Sequence, residues 1–167
     1  MLKINSERRK MIKEFSLPTY KEIPSVGLYL DQTSKYINDN LLLFPEMKIT
    51  NSMISNYVKK DLIANPIKKQ YYRDQIAYLL FITLTKSVLS LDETGRLFTL
   101  QKEKYDTATA YTYFASHFEE YFHQIFDDKE ISTINDKDEN KALLKNIIIT
   151  AIRKIYLHEL LNNQSQD

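Results

Sequence analysis

Residues 48–73 bring six basic side chains into one short stretch: Lys48, Lys59, Lys60, Lys68, Lys69 and Arg73, set against Asp61 within it and Asp74 just beyond. Interleaved are small polar groups (Thr50, Asn51, Ser52, Ser55, Asn56) and the hydroxyl-bearing rings of Tyr57, Tyr71 and Tyr72. This chemistry suits duplex DNA. Ammonium and guanidinium groups neutralise phosphates and release counterions, whereas Asn and Ser side chains hydrogen-bond base edges. If 50–60 is a helix, its first turn also offers unpaired backbone N–H groups to a phosphate. The expected DNA-binding set is therefore Thr50, Asn51, Ser52, Ser55, Asn56, Tyr57, Lys59, Lys60, Lys68, Lys69, Tyr71 and Arg73. The same residues also have a purely structural use. Lys59 and Lys60 close a helix, where cations suit the macrodipole, and the cluster is then a solvated surface.

Other chemistries find less support. The 167 residues contain two glycines, Gly27 and Gly95, which excludes phosphate-cradling and dinucleotide loops that need several glycines at fixed spacing. There is no cysteine, so thiolate metal sites, iron–sulfur clusters, disulfides and cysteine nucleophiles are excluded. His117, Glu120 and His123 share a helix face, and 120–123 matches the Glu-x-x-His element of di-iron bundles. That chemistry needs a second copy of the element and two further glutamates at matching positions, and the sequence makes no such set evident. No metal, no cofactor and no catalytic residue is expected, and the chain is not expected to be an enzyme.

The elements that must hold the basic cluster follow from apolar spacing and caps. A first helix is expected over 5–15, capped by Asn5 or Ser6 and ended by Leu17-Pro18. A helix from about 25 to 40 carries Val26, Tyr29, Leu30, Thr33, Tyr36 and Ile37 at helical spacing. After a linker containing Pro45, Thr50 caps the helix 51–60, with Met53, Ile54, Tyr57 and Val58 as its apolar face. The segment 67–72 is short, basic and aromatic, and reads as a strand or extended wing. A strongly apolar helix follows over 73–87. Ser90 and Glu93 then form a capping box opening a helix to about 102.

Farther on, 107–126 is a helix with two adjacent stripes: Ala110, Phe114, Phe118, Phe122, Phe126, and Tyr113, His117, Tyr121. The stripes pack as core against a final helix over 138–161, serve a dimer interface, or line an effector pocket with Phe118, Tyr121 and Phe122. The two most apolar stretches, 76–91 and 142–161, are too short or too interrupted by charge to span a membrane. With no secretion signal at the start, a cytoplasmic protein is expected.

The run Ile54-Ser55-Asn56-Tyr57-Val58-Lys59-Lys60-Asp61-Leu62-Ile63 resembles the end of the recognition helix in MerR-type transcription regulators, with Asp61 at the place of that family's exit glycine. Pro66 with Lys68-Lys69 is similar to its wing, Tyr71 with Ile76 and Leu79 to its wing-to-helix junction, and Leu89-Ser90-Leu91-Asp92-Glu93 to the start of its next helix. The whole chain is also similar to an uncharacterised bacterial family, domain of unknown function eighteen thirty-six. The segments that carry this likeness are Glu22-Ile23-Pro24, Val26-Gly27-Leu28-Tyr29-Leu30-Asp31-Gln32, 53–60 and Gln75-Ile76-Ala77-Tyr78-Leu79.

Together these readings set the expectation: an all-α chain with a winged helix-turn-helix-like, MerR-like module over 1–102 and a helical dimerisation or sensing region over 103–167. The expected function is a DNA-binding transcriptional regulator, with recognition helix 50–60 and wing 66–73. Its partners would be double-stranded DNA and a second copy bound through the C-terminal helices. A small-molecule effector is conceivable, and a membrane is not. The alternative is a helical protein-interaction module that does not bind DNA. Charge agrees with the split: residues 1–100 carry 15 basic and 10 acidic side chains, and 101–167 carry 8 and 12.

Overall fold

The computed structural model describes residues 2–164, which form seven α-helices and one two-stranded sheet among them. The helices are α1 (Ser6–Lys13), α2 (Leu30–Asn40), α3 (Asn51–Lys59), α4 (Arg73–Thr85), α5 (Leu91–Lys104), α6 (Thr107–Phe126) and α7 (Glu139–Asn162). The strands are β1 (Leu28–Tyr29) and β2 (Gln70–Tyr71). The chain divides into two compact units, 18–115 and 1–17 with 116–167, so the boundary at 115/116 falls inside α6. This division does not coincide with the sequence-based one at 102/103.

In the unit 18–115, α4 is the central element. All but three of its thirteen residues are buried, as expected for a helix that is apolar around its whole circumference. Its Ile76, Leu79, Leu80 and Ile82 join Ile23, Ile37, Leu41, Phe44, Ile49 and Ile54 in the most deeply buried core. The buried hydroxyls of Thr83 and Thr85 donate back to the carbonyls of Leu79 and Phe81, four residues earlier, so they add no unsatisfied group to that core. The ten-residue connection between α2 and α3 is longer than a tight helix-helix turn. It is not slack, because Leu41, Phe44, Met47 and Ile49 all bury their side chains.

A sequence pattern taken as one helix from 25 to 40 is broken at its start. Leu28 and Tyr29 are extended and pair antiparallel with Tyr71 and Gln70, and α2 begins only at Leu30. Helical spacing of apolar residues cannot reveal a strand partner forty residues away. Gly27 explains why the close pairing is possible. A Cβ at this position would lie 2.8 Å from Gln70 Cβ and 2.9 Å from Tyr72 Cζ. Its φ is not positive, so the glycine serves proximity rather than conformational freedom.

Gln32 and Gln75 play matching parts at the starts of α2 and α4. Their Oε1 atoms accept from the backbone N–H of Tyr29 at 2.9 Å and of Tyr72 at 2.7 Å. Each glutamine thus satisfies a donor at the residue where strand becomes helix.

In the unit formed by 1–17 and 116–167, α1 opens with Asn5, whose side chain accepts from the Arg8 N–H. Phe118 and Phe122 of α6 have no exposed surface, and Phe15 packs against Phe122 in a tilted arrangement with ring centroids 4.8 Å apart. Phe126 meets Tyr156 of α7 edge-on at 5.4 Å. The part of the aromatic stripe from Phe118 to Phe126 is therefore core in this unit, and its sealed rings offer a ligand no accessible wall at Phe118 or Phe122. His123 Nε2 lies 3.1 Å from the Phe15 carbonyl oxygen, a contact that suits the tautomer protonated at Nε2. Asp138 caps α7 through the N–H groups of Asn140 and Lys141.

Candidate nucleic-acid interface

Helix α3 is nine residues long and begins at Thr50, whose hydroxyl accepts from the Met53 N–H at 3.1 Å. It ends in a Schellman motif. Leu62 N–H donates to the Tyr57 carbonyl at 2.9 Å, Asp61 N–H to the Val58 carbonyl at 3.0 Å, and Asp61 itself sits at φ 59°. The position where a glycine would serve best is thus left-handed, and a short polar aspartate tolerates it. Ile54 and Tyr57 bury one side of the helix. The outward side is formed by Ser52, Ser55, Asn56, Lys59 and Lys60, all exposed and spaced to share one helical face.

The second basic element is a tight hairpin. Ile67 and Gln70 exchange two backbone hydrogen bonds of 3.0 Å each, and the two residues between them, Lys68 and Lys69, sit at φ 50° and 64°. Two central residues at positive φ are the mark of the I′ loop, which normally takes Asn-Gly. Two exposed lysines therefore occupy a conformation that side chains avoid. The segment expected to be a strand or wing is accordingly a hairpin, and its inner strand β2 is the one that pairs with β1.

Side chains fix the approach of α2 to α3. Asn38 brackets Ile49, with Nδ2 donating to its carbonyl at 2.9 Å and Oδ1 accepting from its N–H at 2.8 Å. Ser34 donates to Asn51 Oδ1 at 2.6 Å, while Asn51 Nδ2 donates to Asp31 Oδ1. Both ends of the Asn51 amide are therefore engaged within the fold.

The twelve expected contact residues separate accordingly. Thr50, Ser52, Ser55, Asn56, Lys59, Lys60, Lys68 and Lys69 are exposed. Four others are not available as expected. Tyr57 and Tyr71 keep only 4% of their surface, and burial pushes both phenols above their ordinary pKa. Arg73 spends its guanidinium on the chain before β1: Nε donates to the Ile23 carbonyl at 2.8 Å, Nη2 to the Lys21 carbonyl at 3.1 Å, and the group lies over the Tyr20 ring. Asn51 is held by Ser34 and Asp31. A hydroxyl or guanidinium looks the same in sequence whether it faces solvent or a carbonyl, so residue type alone did not separate these four.

The structure also adds residues to this surface. Asp31, exposed in the first turn of α2, brings a carboxylate to the start of α3. Tyr29 and Ile67 lie on either side of Gln70 across the three extended segments and are 52% and 61% exposed. Neither role had a sequence signal, because each depends on pairing between distant segments.

A mainly helical chain with one small sheet and this mixed surface defines an architecture, and the family follows from sequence. The chain belongs to the family described as domain of unknown function (DUF1836), whose model matches residues 18–114. The match nearly coincides with the compact unit 18–115 rather than extending over the whole chain. No curated protein and no solved structure matches the chain. Among the described residues, no helix is long and apolar enough to cross a membrane, and no group of three His, Asp or Glu side chains is arranged to hold a metal ion.

Proposed function

We propose that residues 25–73 form a winged helix-turn-helix of MerR-like type that binds duplex DNA and that the protein is a cytoplasmic transcriptional regulator rather than an enzyme. One observation carries this reading: the exposed face of α3 bearing Ser52, Ser55, Asn56, Lys59 and Lys60 is followed in the same unit by a hairpin with Lys68 and Lys69 at its tip. The order strand, helix, helix, hairpin, with β1 paired to the hairpin strand, supports the same reading. In it, Lys59, Lys60, Lys68 and Lys69 contact phosphates and set the register, while Ser52, Ser55 and Asn56 reach base edges. A second copy joined through the C-terminal region, 103–167, supplies the two-fold that paired half-sites require.

Salt-dependent binding to promoter-derived duplexes tests the proposal. Replacing Lys59 and Lys60 by glutamate is expected to abolish binding measured by fluorescence anisotropy. Replacing them by neutral glutamine should reduce the slope of log K against log salt by about 2. Binding of the unmodified protein that does not respond to salt overturns it.

A second reading has its own support. Asp31 stands beside the first turn of α3, and Asn51, Tyr57 and Arg73 are committed inside the fold, which leaves few groups for base readout. A helical protein-interaction module that does not bind DNA has the same features, and failure of the salt test favours it.

A further inference from the structure

A cleft of about 420 Å³ opens in the unit 18–115, bordered by the start of α4, the end of α5 and the turn into α6. Its size falls within the roughly 300–1,000 Å³ of small-molecule sites. Much of its neutral polar lining is already paired. Tyr78 donates its hydroxyl proton to Gln101 Oε1 at 2.7 Å, and Gln101 Nε2 donates to the Tyr105 carbonyl at 2.6 Å. On the lining there remain aromatic surface and the carboxylates of Asp74 and Asp106. Asp74 takes one neutral donor, the Tyr20 hydroxyl at 2.5 Å, and Asp106 takes two from Thr109, its N–H at 2.8 Å and its hydroxyl, which still leaves acceptor sites over. The cleft already holds one cation of its own: Lys102 Nζ lies 5.2 Å from the centre of the Tyr78 ring.

We propose that this cleft binds a small organic cation, a primary diamine or polyamine, with one ammonium taking the place of the Lys102 ammonium at the Tyr78 ring and the other reaching Asp74 or Asp106. Lys102 is the internal stand-in for the ligand. It shows that the site's electrostatics accept an ammonium, and it competes with the ligand for the ring. The aliphatic chain of an amine covers the apolar part of the wall, which a metal ion or a bare ammonium does not. The phenol of Tyr20 is pushed up to about 12, chiefly by its hydrogen bond to Asp74 and then by burial, with the charges of Asp74 and Asp106 adding to the rise. Both carboxylates thus project negative potential toward the Tyr20 phenol, which the Arg73 charge partly offsets. Gln75, on the same wall, donates to the carbonyls of Ala64 and Asn65, so an occupant adjoins the segment joining α3 to the hairpin. An effect of the occupant on DNA binding rests on the proposed DNA reading, whereas amine binding does not.

Isothermal titration with cadaverine and spermidine tests the site on the full chain, with n-pentanol and glutarate as the neutral and anionic counterparts. Saturable binding of the amines alone is expected. Lys102→Met should tighten it severalfold, since an exposed side chain that competes with the ligand is removed. Lys104→Met, the same charge change two residues away, should leave it unaltered. Asp74→Asn with Asp106→Asn should weaken it at least tenfold, with circular dichroism melts reporting that the fold persists. No saturable binding to either the unmodified protein or Lys102→Met at millimolar amine overturns the proposal, as does equal tightening by Lys104→Met. Neither outcome bears on DNA binding, which the lysines of α3 and the hairpin test separately.

Discussion

The Arg8 guanidinium grips the Glu159 carboxylate with two hydrogen bonds, Nε to Oε2 at 2.8 Å and Nη2 to Oε1 at 2.6 Å. Glu159 has no exposed surface, and Asn163 adds a third hydrogen bond to it at 3.0 Å. The two charges lie 151 residues apart in sequence, and their pairing joins α1 to α7 in one unit. Removing one partner strands the other in a low-dielectric site. Glu159→Ala is therefore expected to lower stability by about 3 kcal/mol, somewhat relieved because Arg8 keeps some solvent contact. Arg8→Met combined with Glu159→Leu should recover most of it. Urea unfolding of the three variants checks this, and a loss below about 1 kcal/mol for the single variant would contradict the buried pair.

The two glycines should respond oppositely to alanine. At Gly27 the new methyl meets Gln70 Cβ, which is anchored to the backbone of the hairpin, so β2 must shift. Overpacking of this kind costs about 1–3 kcal/mol. Gly95 lies inside α5 with only Leu62 Cδ2 nearby, at 3.4 Å, and Gly95→Ala should stabilise by up to about 1 kcal/mol through helix propensity. Thermal melts read both signs, and amide shifts of 67–71 should move for Gly27→Ala only.

Lys68 and Lys69 hold a turn for which Asn-Gly is better suited. Lys68→Asn with Lys69→Gly should raise stability by about 1 kcal/mol or more. If the hairpin touches phosphates, the same change lowers DNA affinity and reduces the salt slope by up to 2. A melt and a salt titration on one variant thus give opposite signs for fold and binding. Unchanged DNA affinity would remove the hairpin from the interface.

Tyr20 links stability to alkaline pH. Its phenol titrates near 10 in an unfolded chain and is pushed up to about 12 in the fold, chiefly because it donates to Asp74. The fold therefore favours the protonated form. The resulting stabilisation is complete below pH 10 and is lost as pH rises through 12. Tyr20→Phe should unfold more easily than the unmodified protein at neutral pH, and the gap should close between pH 10 and 12. The difference in phenolate absorbance between the unmodified protein and Tyr20→Phe isolates the titration of Tyr20 from that of the other raised tyrosines.

Local chemistry was legible in the amino-acid sequence. Asn5, one of the two residues offered for its helix, Thr50, and Ser90 with Glu93 each cap the helix they were expected to open, because a cap needs only the next three residues. Asp61 adopts the left-handed exit that ends α3 for the same reason. Likewise local is the exposed stripe Ser52, Ser55, Asn56, Lys59 and Lys60, set by helical period alone. The relationships that depend on distant partners became visible only in the tertiary structure. Strand pairing claimed Leu28 and Tyr29 from an apparently helical pattern, the carbonyls of Lys21 and Ile23 claimed Arg73, and Ser34 with Asp31 claimed Asn51.

Charge shows the limit most plainly. Cut at residue 100, the sequence divides into halves of +5 and −4. Grouped by compact unit, residues 18–115 carry 12 basic and 10 acidic side chains, and the remainder carries 11 and 12. The basic N-terminal segment 1–17 belongs with the acidic segment 116–167, and their opposite charges largely cancel. The sequence alone determines where helices start, stop and turn a polar face outward, since those depend on neighbours in the chain. Which segments share a unit, and so which surface keeps a net charge, is decided by tertiary packing, because burial and ion pairing act between residues far apart in the chain.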